Sequence, residues 1–520
     1  MAMRFYSQKI AKIVTVLVLA VLFSLLLVEK TDLTTSDLGR HIKNGEIILT
    51  GSFSEKWGVL TTNFYSYIQA KQGFVNHHWG SGVVFFILQK LFGFAGLSII
   101  YLFLFLATAG LFFYFTKKES DWFWAGALSL IFLPLITYRG EVRPEIFTYL
   151  FSGVFYVLLW HWHKGKIGHK KLLVLPIILL FWVNFHIGFV FGLFLIGAFG
   201  IDQLVKYKRK KPNGFRQLSV IGGLSAAALI INPNFVKGLL YPFNIFREYG
   251  YAIVENQSIL DVHRLNFNSG IPLGAFYFVL AVLILSFVLL LIRSPGKISL
   301  ANAIIAFAFA VLAIFGVRNF TVFALFALPI SAINFKQGFS FPVHKAYKYL
   351  VLMIGGIIIL VGMVFIYKGI KQKFNGSGFG LALETEKSLE FLRQNKIEGP
   401  IFNNYDVGGY LIYGGYDVFV DNRPEAYSVS FFEDTYVPMQ QEEAKWEQVD
   451  KQYNFNAIFF SHRDFTPWAQ DFLIARVKDN NWAPVYADDY NIIFLKKNTK
   501  NIGIIQEYYI PPENFQVVPY

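Results

Sequence analysis

Apolar runs long enough, or nearly long enough, to cross a bilayer as helices recur along the chain. They fall at 13–28, 94–115, 122–138, 146–162, 172–184, 187–205, 217–232, 271–292, 299–316, 319–334 and 349–367. A hydrocarbon core takes about 20 apolar residues per helical crossing, so this pattern alone predicts an α-helical polytopic membrane protein of about 11 transmembrane helices. Five basic loops separate the runs: TKKESDW, HKGKIGHKK, KYKRKKPNGFR, RSPGK and FKQGFSFPVHKAYK. If the spans simply alternate, all five lie on the side of the N-terminus. By the positive-inside rule the N-terminus is then cytoplasmic, and everything past about Lys371 is extracytoplasmic, in a multi-pass protein of the cell (plasma) membrane. Arg4, Lys9 and Lys12 before the first run, with no small-residue cleavage site before Glu29-Lys30, read as an uncleaved signal anchor.

Composition excludes other classes. A chain with 55% hydrophobic and 16% charged residues and a mean hydropathy of +0.45 is far from a soluble domain. Its net charge of +13 is placed largely in the short basic loops, so it argues for orientation and membrane lipids rather than nucleic acid. Without cysteine there is no disulfide framework and no thiolate metal site.

The remaining polar residues collect at one face. Asp37, His41, His77, His78, Arg139, Glu141, Arg143, Glu145, Asn184, His186, Glu255 and Arg318 all fall in outer loops or at the outer ends of spans. Ionisable groups near the hydrocarbon edge are costly and usually have a partner or a function, which points to a shared site. In the long first outer loop (29–80), Leu38, Ile42 and Ile48 or Leu49 recur at near-helical spacing, while Asp37, His41 and Asn44 fall on another face. This predicts a helix lying on the membrane, capped by Thr35 or Ser36. The long outer segment 232–268, with GLLYPFNIF followed by Glu255, has the character of a surface segment able to gate a lipid tail.

Thr35-Ser36-Asp37 after the first span and Asn76-His77-His78-Trp79-Gly80 before the next resemble bacterial members of the GT-C superfamily, polytopic glycosyltransferases that use polyprenyl-phosphate-linked sugars. Arg143-Pro144-Glu145, Trp182-Val183-Asn184-Phe185-His186, Asn232-Pro233 and Arg318-Asn319 extend the resemblance over most of 1–370. It is strongest to an uncharacterised branch related to protein mannosyltransferases and aminoarabinose transferases. The resemblance implies an enzyme that moves a sugar, with inversion, from a polyprenyl-phosphate donor to a glycan, lipid or protein acceptor at the outer face. It implies Asp37 as the catalytic base. Arg139, Arg143 or Arg318 would hold the departing phosphate, Arg143 being the preferred one because Glu141 and Glu145 flank it. His41, His77, His78, Glu145, Asn184, His186 and Glu255 are the other candidate substrate-binding residues. No cofactor is implied with certainty. No Asp-x-Asp pair occurs in the first loop, and a divalent metal would have to be assembled from Asp37, His41 and His186. Two other classes compete: a transporter or flippase of a lipid-linked sugar, and a non-catalytic membrane scaffold whose outer domain binds the cell wall.

After the membrane part (1–370) and a linker (371–383, with Asn375-Gly376-Ser377-Gly378), residues 384–520 read as a small extracytoplasmic α/β domain. Helices are expected at 384–394 and 439–452, and strands at 400–402, 418–421, 457–460 and 492–495. Asp421 and Arg423 at a strand end read as a local ion pair that ties down the loop.

Overall fold

The computed structural model describes residues 2–244, 249–251, 253–264, 270–339, 345–373 and 376–516. Parts of three sequence expectations, the outer segment 232–268, the basic run 335–348 and the linker residue Asn375, lie outside the described residues. The chain divides into two compact units. One comprises residues 1–30, 98–232 and 253–379, and the other 31–97, 233–252 and 380–520.

The helical unit contains α1 (Ala2–Leu27), and a sheet-bearing unit follows it in the chain with α2 (Leu38–Thr50), α3 (Phe53–Thr61) and the start of α4 (Trp79–Glu119). The helical unit resumes within α4 and continues through α5 (Trp122–Ile136), α6 (Glu145–His163), α7 (Val174–Phe185), α8 (Val190–Lys208) and α9 (Phe215–Ala228). After α10 (Phe235–Leu240), which belongs to the sheet-bearing unit, come α11 (Ile259–Arg264), α12 (Leu273–Arg293), α13 (Leu300–Phe315), α14 (Phe320–Gly338) and α15 (Lys345–Lys373). Each apolar run of the sequence is helical. Among the described residues five helices are long and apolar enough to cross a membrane, and α5 and α13 are shorter apolar helices. The helix α14 is buried on all sides over nearly its whole length, the mark of a central helix; its Phe326 meets Phe112, Tyr156 and Phe309 at ring-centroid distances of 5.5, 5.3 and 4.6 Å.

The second span keeps its expected start near 94: α4 is broken at Gly93, whose φ of +67° lies in the left-handed region that glycine enters without penalty, and the residues from Trp79 to Phe92 form a separate helix before the break.

The sheet-bearing unit is built on four strands, β1 (Ile401–Asn403), β2 (Ala457–Ser461), β3 (Trp482–Ala487) and β4 (Asn491–Lys496), in the order β1-β2-β4-β3. The β1/β2 pair is parallel, and the β2/β4 and β4/β3 pairs are antiparallel. Its two apolar cores both take residues from the first loop: Phe74 joins Phe402, Trp446 and Phe460, while Leu33, Val59 and Tyr65 join Tyr410, Phe459 and Leu495. The helix expected at 384–394 spans Lys387–Gln394, and that at 439–452 is broken at Glu442 into Pro438–Gln441 and Glu443–Tyr453.

Two strand expectations need correction. Residues 418–421 form no strand. Val418 pairs instead with the first loop, donating from its backbone N–H to Tyr65 (3.0 Å) and accepting from Tyr67 (3.3 Å) as a single parallel bridge at Ser66. The strand β3, which carries Pro484, was not among the expected strands. It survives because it lies at the sheet edge, where a missing N–H is tolerated, with the register shifting between Pro484 and Tyr486.

Candidate functional site

In the helical unit the turn between α5 and α6 carries Arg139 and Arg143, and Pro144 as the N-cap sets Glu145 in the first turn of α6. There the helix dipole favours a carboxylate. Arg139 is buried and pairs through Nη2 with Glu145 (2.9 Å) and through Nη1 with Glu255 (2.7 Å). Arg143 pairs through Nε with Glu141 (2.6 Å) and through Nη2 with the same Glu255 (3.1 Å). Glu255, in the short helical turn Val254–Asn256, therefore receives two guanidinium groups. Burial works to raise its pKa, but the cations win and hold it at about 2.

Arg318 differs from both. Its Nη1 donates to the amide oxygen of Asn256 at 2.8 Å, and among the described residues it makes no ion pair with a carboxylate. The backbone fixes this contact, because Val317 N–H donates to the carbonyl of Gln257 (3.2 Å). Of the three arginines, Arg139 and Arg143 make direct ion pairs with carboxylates, while the half-buried Arg318 makes none among the described residues and acts on Glu145 and Glu255 from a greater distance.

His186 sits where α7 ends, its backbone extended (φ −163°, ψ 142°). Its Nδ1 accepts from Gly188 N–H at 3.1 Å and lies 2.7 Å from Thr148 Oγ1. Thr148 Oγ1 in turn accepts from Trp182 Nε1 at 2.9 Å, so its own proton is directed to His186. A ring nitrogen that accepts from a backbone N–H carries no proton, which leaves the proton of the neutral imidazole on Nε2. Asn184 is a turn anchor: its side-chain amide donates to the carbonyls of Leu180 (2.8 Å) and Ile231 (3.0 Å).

In the sheet-bearing unit Asp37 is the N-cap residue of α2 but makes no side-chain cap bond; Ser36 Oγ accepts from Leu38 N–H (3.1 Å). The Asp37 carboxylate is partly open and lies 3.2 Å from Arg40 Nη2, and Arg40 Nε donates to Asn422 (3.2 Å). The helix is close to its expected length, but the face bearing His41 and Asn44 is buried rather than presented as a polar surface. The cause is close packing of α2 on α4: a Cβ at Gly45 would lie 2.1 Å from the Gly82 carbonyl oxygen. His41, His78, His77 and Tyr241 form a ring ladder with successive centroid distances of 5.2, 4.0 and 5.0 Å. His77 Nδ1 donates to the Val75 carbonyl (3.0 Å).

Asp421 and Arg423 form a buried bidentate pair at 2.6 and 2.7 Å, joined by Tyr427 and Asn63. Sequence reasoning missed Asp406. Burial, followed by the neighbouring carboxylates Asp464 and Asp37, pushes its carboxyl up to about 7. The phrase around it, Asn404-Tyr405-Asp406 before Gly408-Gly409, was visible in the sequence. What was not visible is the fold that brings its charge near that of Asp37. Glu425 is likewise raised by burial. Among the described residues no three His, Asp or Glu side chains are gathered as a metal-holding group.

No known family profile and no curated protein matches the sequence. Solved structures do match. The archaeal oligosaccharyltransferase AglB from Archaeoglobus fulgidus, in complex with an inhibitory peptide and a dolichol-phosphate, aligns with a TM-score of 0.62 at 12% identity, over 93% of this chain and 74% of its own. ArnT from Cupriavidus metallidurans, bound to undecaprenyl phosphate, aligns with a TM-score of 0.52 at 11% identity, over 94% of this chain and 98% of its own. The chain thus shares its fold with these two proteins.

Proposed function

We propose that this protein is an inverting glycosyltransferase that takes a sugar from a polyprenyl-phosphate donor at the outer membrane face and passes it to a glycan, lipid or protein acceptor. The observation that carries the reading is the likeness, over nearly the whole chain, to two structures that both hold a polyprenol-type phosphate.

The residues divide the chemistry between them. Asp37 takes the proton from the acceptor hydroxyl as its oxygen attacks the anomeric carbon, and the bond from that carbon to the phosphate oxygen breaks, leaving the lipid phosphate. Arg318, which makes no direct ion pair among the described residues, receives that phosphate. Guanidinium suits it because its fork matches two phosphate oxygens. Arg143, the preferred phosphate ligand on sequence grounds, is bound to Glu141 and Glu255 and serves with Arg139 to hold the loop that presents Asn256 to Arg318. His186 is a further substrate-binding residue of this reading, as are His41, His77 and His78, which stack on one another.

The test is transfer of radiolabelled sugar from a panel of synthetic polyprenyl-phosphate sugars by membranes holding wild type, Asp37→Asn or Arg318→Gln at matched expression. Transfer by wild type that is abolished in Asp37→Asn and weakened in Arg318→Gln is expected. Equal transfer by all three overturns the residue assignments, and transfer by none with any donor overturns the activity.

A further inference from the structure

The helical unit carries a concentration of positive charge that the proposed chemistry does not use. Between residues 164 and 216 stand ten lysines and arginines against a single carboxylate, Asp202. Asp202 pairs with Lys206 (2.9 Å) and Lys166 with Glu119; the other eight cations make no ion pair among the described residues. They stand on the connection from α6 to α7 and on that from α8 to α9 with its adjoining helix turns, and the structure locks the two connections together. Gln203 of α8 accepts from the Gly214 N–H through Oε1 (2.9 Å), and its amide nitrogen lies 3.1 Å from His163 Nδ1. A Cβ at Gly214 would lie 2.3 Å from the Trp162 ring. Orientation in the membrane does not account for charge gathered at one spot: the loop TKKESDW, read on the same side, balances its two lysines with Glu119 and Asp121.

The cations head two exposed apolar stripes. Lys170 and Lys171 stand just before Val174, Ile177 and Phe181, which share one face of α7 and are exposed. On α9, Arg216, Val220 and Leu224 follow one another at four-residue spacing, all exposed, with the arginine in the first turn. α9 packs on both α7 and α8, so the stripes and the basic connections belong to one surface. We propose that this surface is a binding site for an anionic phospholipid, whose phosphate the cations of both connections hold and whose acyl chains lie along α7 and α9. Basic pockets between membrane helices take acidic headgroups in this way, and α8 with the turn preceding it is long and apolar enough to cross a membrane. A nucleic acid would answer the charge but leave the aliphatic stripes unused. This inference does not depend on the glycosyl-transfer reading.

Native mass spectrometry of the full-length protein in a neutral detergent, titrated with phosphatidylglycerol or with phosphatidylcholine, counts the lipid bound. The variants are Lys170→Gln/Lys171→Gln on one connection, Lys208→Gln/Lys211→Gln on the other and, as an equal loss of charge elsewhere, Lys117→Gln/Lys118→Gln. Wild type and the 117/118 variant are expected to prefer phosphatidylglycerol, and each of the other two variants to bind it on the order of 10- to 30-fold more weakly. Equal binding of the two lipids by wild type, or undiminished binding by both loop variants, overturns the proposal. A loss confined to one loop variant overturns the joint site, and an equal loss in the 117/118 variant reduces the effect to net charge and overturns it as well. Glycerol phosphate held as tightly as the lipid overturns it in favour of a soluble phosphate, and a short RNA held more tightly overturns it in favour of nucleic acid. The four loop positions are exposed, and matched melting of each variant with wild type in phosphatidylcholine checks that the fold is intact.

Discussion

Replacing Asp421 by Asn tests whether the Asp421–Arg423 pair is structural. Asp421 is fully buried and Arg423 nearly so. The carboxylate accepts from Arg423 Nε (2.7 Å), Arg423 Nη2 (2.6 Å), the Arg423 backbone N–H (3.1 Å) and Tyr427 OH (3.1 Å). The substitution leaves a buried guanidinium with neutral partners: an amide oxygen at position 421, Asn63 Oδ1 at 2.8 Å and the rings of Phe74 at 4.6 Å and Tyr65 at 5.7 Å. Breaking a buried pair from one side costs about 3–5 kcal/mol, which for a unit of this size corresponds to a fall in apparent melting temperature of roughly 6–20 °C. The assay is thermal unfolding of detergent-solubilised protein at pH 7. The double variant Asp421→Leu/Arg423→Met is expected to lose less than either single change, because it buries no uncompensated charge. The pH dependence has a definite sign. The pair holds the Asp421 carboxyl below its ordinary value, so its stabilisation is fully present above the unfolded value of about 3.9 and is lost as pH falls through the folded one. The gap between wild type and Asp421→Asn should therefore close in acid. An Asp421→Asn protein that melts with wild type but loses sugar transfer refutes the reasoning and makes the pair a ligand contact.

Three further outcomes are expected. Asp406→Asn should raise the melting temperature at pH 8 and leave it nearly unchanged at pH 4. The folded pKa of about 7 lies above the unfolded value of about 3.9, so ionising the wild-type residue removes stability progressively as pH rises between the two; parallel pH series of melts check it. Arg318→Gln should weaken use of the lipid-phosphate donor by on the order of 10- to 100-fold, the worth of one charge-assisted hydrogen bond, with melting unchanged, and initial rates against donor concentration read it. Gly45→Ala should destabilise the protein by about 1–3 kcal/mol, since its Cβ would force α2 and α4 apart; thermal melts against wild type are the measurement.

Hydrophobic periodicity is a local property, and for this reason the helices were legible: each of the eleven apolar runs is helical. The Asp421–Arg423 pair was legible for the same reason, its partners standing two residues apart. The state of charge of the arginines was not. Arg143 stands between two glutamates in sequence, which recommended it as a phosphate ligand, yet Glu141 and the distant Glu255 pair with it, while Glu145 pairs with Arg139 and Arg318 makes no direct ion pair among the described residues. Asp406 was hidden because its raised pKa comes from burial and from Asp464 and Asp37, residues far away along the chain. β3 carries Pro484; a proline's meaning in a strand depends on whether the strand is an edge, and strand order is not written locally.

The shared cores of the sheet-bearing unit set an order of events in time. Leu33, Val59, Tyr65 and Phe74 pack in cores that also take Phe494 and Leu495, so the first loop has no completed core until about 420 further residues have been made. At synthesis rates of about 5–20 residues per second the wait is roughly 20–85 s. Throughout it the apolar side chains of the loop have no partner from the C-terminal segment. Holding them from aggregation is a task for a chaperone rather than for the loop itself, and a fragment of residues 380–520 made alone would lack the pieces that fill both of its cores.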